Sequence, residues 1–208
     1  MRATVPASLH SDWMNYLAHL YLSESDPDSR VGSLMGDFVK GRVGDDYKPS
    51  VREGILLHRK VDSFTDAHPI IRQSKARISP GFRRYAGILV DIFYDHFLAT
   101  QWHHWSDVSL DEFANEVYDI LRERHDAFPE SMQRSMRYMV SRRLLQSYRE
   151  IGGIHDALRG IETRLRRPSR LGESVRELEL NYPALRSDFE QFFPLLVEFG
   201  QAQTSWRG

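Results

Sequence analysis

The segment 86–99 is apolar along most of its length but contains three ionisable residues. Asp91 and Asp95 lie four positions apart, and His96 follows directly. At 3.6 residues per turn, this spacing places both carboxylates on one face of a helix. Burying a carboxylate without a charged or metal partner is costly. We therefore expect a core helix that packs against a second polar helix face.

A second segment, 56–69, offers such a face. His58, Asp62 and Asp66 recur at intervals of four, so they line one side of a predicted helix. Acid–base pairs at this spacing also occur on exposed helix surfaces, where each stabilises the helix by about a few tenths of a kcal/mol. We nevertheless expect the two helices to meet, with their acids and imidazoles forming one divalent-metal site.

Asp37 adds a further candidate ligand. It follows Gly36 in the predicted helix 31–40, where small residues would let another helix or a ligand approach closely. Carboxylate oxygens and imidazole nitrogens are ligands for Mn²⁺, Mg²⁺ or Fe²⁺. The combination of these segments indicates a metal site more strongly than any one of them.

Local motifs predict several helix boundaries. Ser50 with Glu53, and Ser109 with Glu112, have the spacing of capping boxes at helix starts. Pro69 predicts the end of the helix that contains His58, because the residue before proline is pushed out of the helical region.

The chain as a whole is predicted to be all-α. No segment alternates apolar and polar residues with the Val, Ile and Thr enrichment of strands. We expect about eight or nine helices in an irregular multi-helix bundle, forming a single domain over 14–203. Residues 1–13 are interpreted as an N-terminal extension.

Composition excludes several classes of protein. The chain of 208 residues has no cysteine, so thiol nucleophiles, disulfides and zinc knuckles are ruled out. No apolar run approaches the roughly 20 residues needed to cross a bilayer, and residues 1–13 lack the apolar core of a signal peptide. A net charge of −1 gives no general attraction to nucleic acid or membrane. We therefore expect a cytoplasmic protein with neither partner.

Four blocks of sequence occur in order: MNYLAHL at 14–20, GDFVKG at 36–41, HRKVDSFTD at 58–66 and DIFYDHFL at 91–98. Together they resemble the successive motifs of the acyl carrier protein (ACP) phosphodiesterase family. The resemblance extends from residue 14 to about residue 201. It implies an all-α fold related to the HD phosphohydrolases. It also implies hydrolysis of the phosphodiester that joins 4′-phosphopantetheine to a serine of holo-ACP, with Mn²⁺ or Mg²⁺.

This resemblance and the spacing together suggest a role for each candidate residue. The expected metal ligands are Asp37, His58, Asp62 and Asp95. Asp91 would orient water or a ligand, and Arg59, about 100° around the helix from His58, would hold phosphate. The departing serine oxygen would be protonated by His19 or His96.

Arginine-rich stretches are candidates for a basic surface around the mouth of the site, which would attract the acidic ACP. They lie at 83–84, 142–143 and 164–176.

Two other functions fit the residues. The first is a helical HD-like metal phosphohydrolase that acts on a small phosphodiester or nucleotide. The second is a non-catalytic helical adaptor in which the polar cluster is a buried salt-bridge network.

Overall fold

The computed structural model describes residues 16–165 and 169–204. The predicted extension, residues 1–13, lies outside the described residues. Within them the chain is all-helical, as predicted, and contains no strand. The α-helices are α1 (Tyr16–Leu22), α2 (Pro27–Met35), α3 (Pro49–Ala67), α4 (Pro69–Arg77), α5 (Ala86–Thr100), α6 (Leu110–Glu123), α7 (Glu130–Ser141), α8 (Leu144–Ser147), α9 (Ile151–Glu162), α10 (Val175–Leu180) and α11 (Tyr182–Thr204).

These eleven α-helices in the described residues exceed the eight or nine expected. The difference comes partly from short helices such as α8, which has four residues. Such a helix is too short to show a periodic pattern, and it is stabilised by packing rather than by its own propensity. No described helix combines the length and apolar character required to span a membrane.

Helix α5 lies in the core and packs against α1, α4, α9 and α11. Its apolar residues are buried, with Phe93 and Phe97 fully enclosed. Phe97 lies against Phe189 of α11, with 5.8 Å between ring centroids. The apolar segment 86–99 is therefore a core helix, as its composition predicts.

Helices α2 and α3 approach each other closely because glycines line their interface. A Cβ atom on Gly32 would lie 2.1 Å from the Val51 carbonyl oxygen, and one on Gly54 would lie 2.4 Å from the Ser29 carbonyl oxygen. Both distances are far below van der Waals contact. Only glycine fits at these positions, and the resulting contact brings α2 directly against the first turns of α3.

The predicted helix boundaries are partly confirmed. Ser109 and Glu112 form the expected capping box at the start of α6, and α3 ends just before the His68–Pro69 step. The capping box predicted at Ser50 is wrong, because α3 already begins at Pro49 with Lys48 as its N-cap. Proline is favoured at the first helical position, since its missing N–H would have no partner there.

Candidate metal centre

Two buried histidines from different helices are stacked on each other. The rings of His19, from α1, and His58, from α3, have centroids 3.8 Å apart and planes inclined by 17°. Both side chains are almost completely excluded from solvent. Gly36 makes this position possible, because a Cβ atom there would lie 2.3 Å from the His58 ring.

Two aspartates face this histidine pair. His58 Nε2 lies 3.3 Å from Asp37 Oδ1 and 3.3 Å from Asp62 Oδ2. The other oxygen of Asp62 lies 3.1 Å from His19 Nε2. Residues from α1, α3 and the turn after α2 thus converge, although they are far apart in the chain.

Charge in the cluster is unevenly distributed. Burial and the neighbouring His58 lower the pKa of His19, so its imidazole is neutral. Burial opposes the charged form of His58, but hydrogen bonds and charges from Asp37 and Asp62 raise its pKa to about 10. Burial also opposes the charged form of Asp62, yet the two imidazoles hold its pKa below the ordinary range. A single proton on His58 therefore balances part of the negative charge.

The arrangement fits a divalent cation. Ligand atoms of His19, His58 and Asp62 all lie within 4.8 Å of one another. His19 Nε2 and Asp37 Oδ2 are buried and lack a hydrogen bond of good geometry within the described part of the chain. A cation among these groups would satisfy both atoms and would replace the proton on His58. His19, predicted as a proton donor, therefore lies where a ligand would be.

Asp95 has a different position from the one predicted for a metal ligand. Its side chain is fully buried, and its two oxygens accept hydrogen bonds from the backbone N–H groups of Leu17 and Ala18, both at 3.0 Å. These are among the donors that a helix leaves unpaired at its start. Asp95 thus caps α1 from another helix, and both of its oxygens are occupied by the backbone.

His96 is held in the core away from the cluster. Its Nδ1 lies 2.8 Å from the Tyr148 carbonyl oxygen, and its Nε2 lies 3.0 Å from the Tyr182 hydroxyl. Because a carbonyl only accepts, Nδ1 carries the proton and the Tyr182 hydroxyl donates to Nε2. Burial lowers the pKa of His96, consistent with a neutral ring. The predicted proton donor is therefore occupied by structural partners.

The two remaining aspartates of the predicted faces differ in their surroundings. Asp91 is partly buried, and its pKa is raised well above the ordinary value by burial; its electrostatic neighbours include Lys75, Asp62 and Asp66. Asp66 is exposed and forms an ion pair of 2.7 Å with Lys75. The line of acids predicted on α3 therefore divides, with Asp62 in the cluster and Asp66 at the surface.

Arg59 borders a cleft that opens onto the cluster. Its guanidinium donates to the carbonyl oxygens of Val39 and Gly41, at 2.6 and 2.7 Å, and so fixes the loop after α2. Arg59 shares the lining of the cleft with Asp37 and Asp62, and the empty volume is about 510 Å³. A ligand in this cleft would contact the Arg59 guanidinium together with the carboxylates of Asp37 and Asp62.

The fold and the cluster together define an all-helical protein with a candidate His/Asp metal centre beside a cleft lined by Asp37, Lys40, Arg59 and Asp62. The family model described as "Acyl carrier protein phosphodiesterase" matches residues 14–196. The chain belongs to this family, as the four sequence blocks predicted.

Individual relatives agree with the family match. A protein from Serratia proteamaculans (strain 568), named acyl carrier protein phosphodiesterase, is 36% identical over 186 residues, which are 89% of this chain and 96% of that protein. Proteins of the same name from Enterobacter sp. (strain 638) and Escherichia coli O6:H1 are each 35% identical. These two matches cover 88% and 89% of this chain, respectively, and 96% of each relative. No solved structure matches significantly, so the predicted kinship with the HD phosphohydrolases remains a prediction.

Proposed function

We propose that this protein hydrolyses the phosphodiester between 4′-phosphopantetheine and a serine of holo-ACP, with the help of a divalent cation such as Mn²⁺. Family membership supplies the substrate class. The observation that supports the cation is the convergence of His19, His58 and Asp62, together with Asp37, at the base of one open cleft.

In this proposal His19, His58, Asp62 and Asp37 hold the cation. When bound there, a divalent cation would polarise the phosphoryl oxygens and generate a nucleophile from water at neutral pH. Since ligands must give up their protons, His58 would release its proton when it holds the cation. His19 is already neutral through burial and needs no such change.

Arg59 is proposed to bind the phosphate. Two of its N–H groups hold the loop carbonyls of Val39 and Gly41, and a guanidinium has five N–H donors in all. The remaining donors can face a phosphate oxygen in the same cleft, where a planar cation stabilises charge that develops during the reaction. The contacts with the loop also keep the guanidinium in place before substrate arrives.

We propose structural roles for two other candidates. Asp95 fixes the start of α1 and thereby positions His19, while His96 connects α5 to Tyr148 and Tyr182. Asp91 keeps the predicted role of orienting a group of the cluster, because Asp62 is among its electrostatic neighbours.

The decisive experiment is mass spectrometry of holo-ACP incubated with the protein and Mn²⁺, with and without a chelator. We expect loss of the phosphopantetheine mass only without chelator. Asp62→Ala should abolish the reaction. Asp66→Ala is a matched control, since it lies one turn further along α3 and pairs with Lys75 at the surface. Full metal-dependent activity of Asp62→Ala would exclude the proposed site.

A further inference from the structure

The cleft at the metal centre continues along the protein surface. Asp37 and Lys40 line both the cleft of Arg59 and a larger neighbouring one with an empty volume of about 1210 Å³. The larger cleft passes between the loop after α2 and helix α7, where Ser131, Arg134 and Ser135 line it. The two clefts therefore adjoin at Asp37 and Lys40.

A third cleft, between α7 and α9, adjoins the larger one. Ser135 and Arg164 line both the larger cleft and this last one. The third cleft is mainly apolar, with Ile92, Leu144 and Ile161 among its lining residues. Taken in order along the surface, the three adjoining clefts make up a groove that begins beside the His/Asp cluster, has a polar middle part and ends in an apolar pocket.

We propose that this groove holds the pantetheine arm of the substrate, with its phosphate at the metal centre and its thiol end in the apolar pocket. The inference rests on the proposed function, which places the phosphate beside Asp62 and Arg59. It adds a binding site for the part of the substrate that does not react.

The chemistry of the groove follows that of the arm. Beyond the phosphate, the arm carries a hydroxyl and two amides, which need hydrogen-bonding partners, and it ends in a short thioalkyl group. Ser131 and Ser135 can donate to carbonyls and accept from N–H groups. Arg134 is exposed and has no hydrogen-bond or ion-pair partner within the described ranges, so its donors are available. The thioalkyl end would be transferred from water to apolar surface, which is favourable.

Tyr138 forms one wall of the apolar pocket. The Arg164 guanidinium lies over its ring, 5.3 Å from the centroid. A Cβ atom on Gly160 would lie 2.8 Å from the Tyr138 hydroxyl oxygen, so α9 packs directly against this tyrosine. The wall is therefore preformed, which reduces the conformational freedom lost when a flexible arm binds.

Calorimetric titration tests the groove without relying on catalysis. The probes are 4′-phosphopantetheine and methyl phosphate, each added to the protein in Mn²⁺. Both carry the phosphate, and only the first carries the arm. We expect 4′-phosphopantetheine to bind about tenfold or more tightly, since the arm would contribute at least about 1.4 kcal/mol.

Ser131→Trp should remove this difference by blocking the middle of the groove. Ser131 is exposed, so the bulky residue does not enter the core. Ser141→Trp is the matched control, because Ser141 is also an exposed serine of α7 and does not line the groove. Ser135→Leu, at the junction with the apolar pocket, provides a second blocking variant.

The results separate this inference from the proposed function. If wild-type protein binds both probes equally, or if both blocking variants keep the tenfold preference, the groove assignment is overturned even when holo-ACP is cleaved. If the preference exists and is lost in Ser131→Trp and Ser135→Leu but not in Ser141→Trp, the groove assignment holds. That conclusion is independent of whether the chelator-sensitive cleavage is observed.

Discussion

Gly36→Ala should disturb the metal centre through a single methyl group. The backbone at Gly36 has φ −50° and ψ −37°, which alanine adopts without strain, so the effect is purely steric. The new Cβ would lie 2.3, 2.4 and 2.7 Å from three carbon atoms of His58. Restoring ordinary contact at 3.4 Å or more requires the imidazole to move by about 1 Å.

A shift of this size affects both activity and stability. His58 is held by Asp37 and Asp62 at 3.3 Å, so a displaced ring breaks at least one of these contacts. Misplacing a catalytic group by 1 Å lowers the rate by about a hundredfold. Overpacking a buried site reduces the free energy of unfolding by about 1–3 kcal/mol.

The assay combines the rate of phosphopantetheine release from holo-ACP with thermal unfolding of the variant. Gly152→Ala is the control, because Gly152 lies in α9 and a Cβ atom there has no heavy atom within 4 Å. That variant should be as active as wild type and more stable by about 0.4–1 kcal/mol. A Gly36→Ala protein with wild-type rate and stability would refute the reasoning, since the ring would then not be confined as described.

Three further predictions concern other parts of the molecule. Mn²⁺ at a hundred times its dissociation constant should raise the free energy of unfolding by about 2.7 kcal/mol, as followed by thermal melts with and without chelator; an equal rise in Asp62→Ala would place the ion elsewhere. Asp188→Asn should lower the free energy of unfolding by about 1–3 kcal/mol, because Asp188 is buried and pairs with Arg77 at 2.7 Å. Burial opposes the charged form of Asp188, but Arg77, Ser74 and Gln73 together lower its pKa below the ordinary value of 3.8. The stabilisation is therefore fully present above pH 3.8 and is lost as the pH falls through the lower pKa of the folded state. Melting temperatures of wild type and variant should converge in acid, and a constant difference would contradict this. His96→Gln should lower the melting temperature but reduce kcat far less than His58→Gln does. Equal losses of kcat would indicate that His96 takes part in the reaction.

The sequence was informative wherever two partners lie on one helix. The interval of four between His58 and Asp62 placed both in the cluster, and the pairing of Gly36 with Asp37 indicated the close approach of α2. His19 was predicted as a proton donor and not as a ligand. Its stacking on His58 depends on the packing of both α1 and α3 against α2, which no local pattern reveals.

Asp95 shows why the remaining part of the site could not be predicted. The buried carboxylate was expected to have a charged or metal partner. The partner, however, is a pair of backbone N–H groups on α1. Every residue except proline carries such a donor, so the sequence gives no sign of which ones will be free at a helix start.

The anchoring of α1 by Asp95 also determines how the cluster can come apart. With seven residues, α1 is far below the length at which an isolated helix persists in water. Its order therefore depends on its packing in the core and on the hydrogen bonds to Asp95, and loss of these contacts would also displace His19. Fluctuations that release α1 would separate His19 from the other candidate ligands while the rest of the molecule stays folded. Amide hydrogens of α1 should then exchange with solvent at a rate that reports how often the centre is assembled.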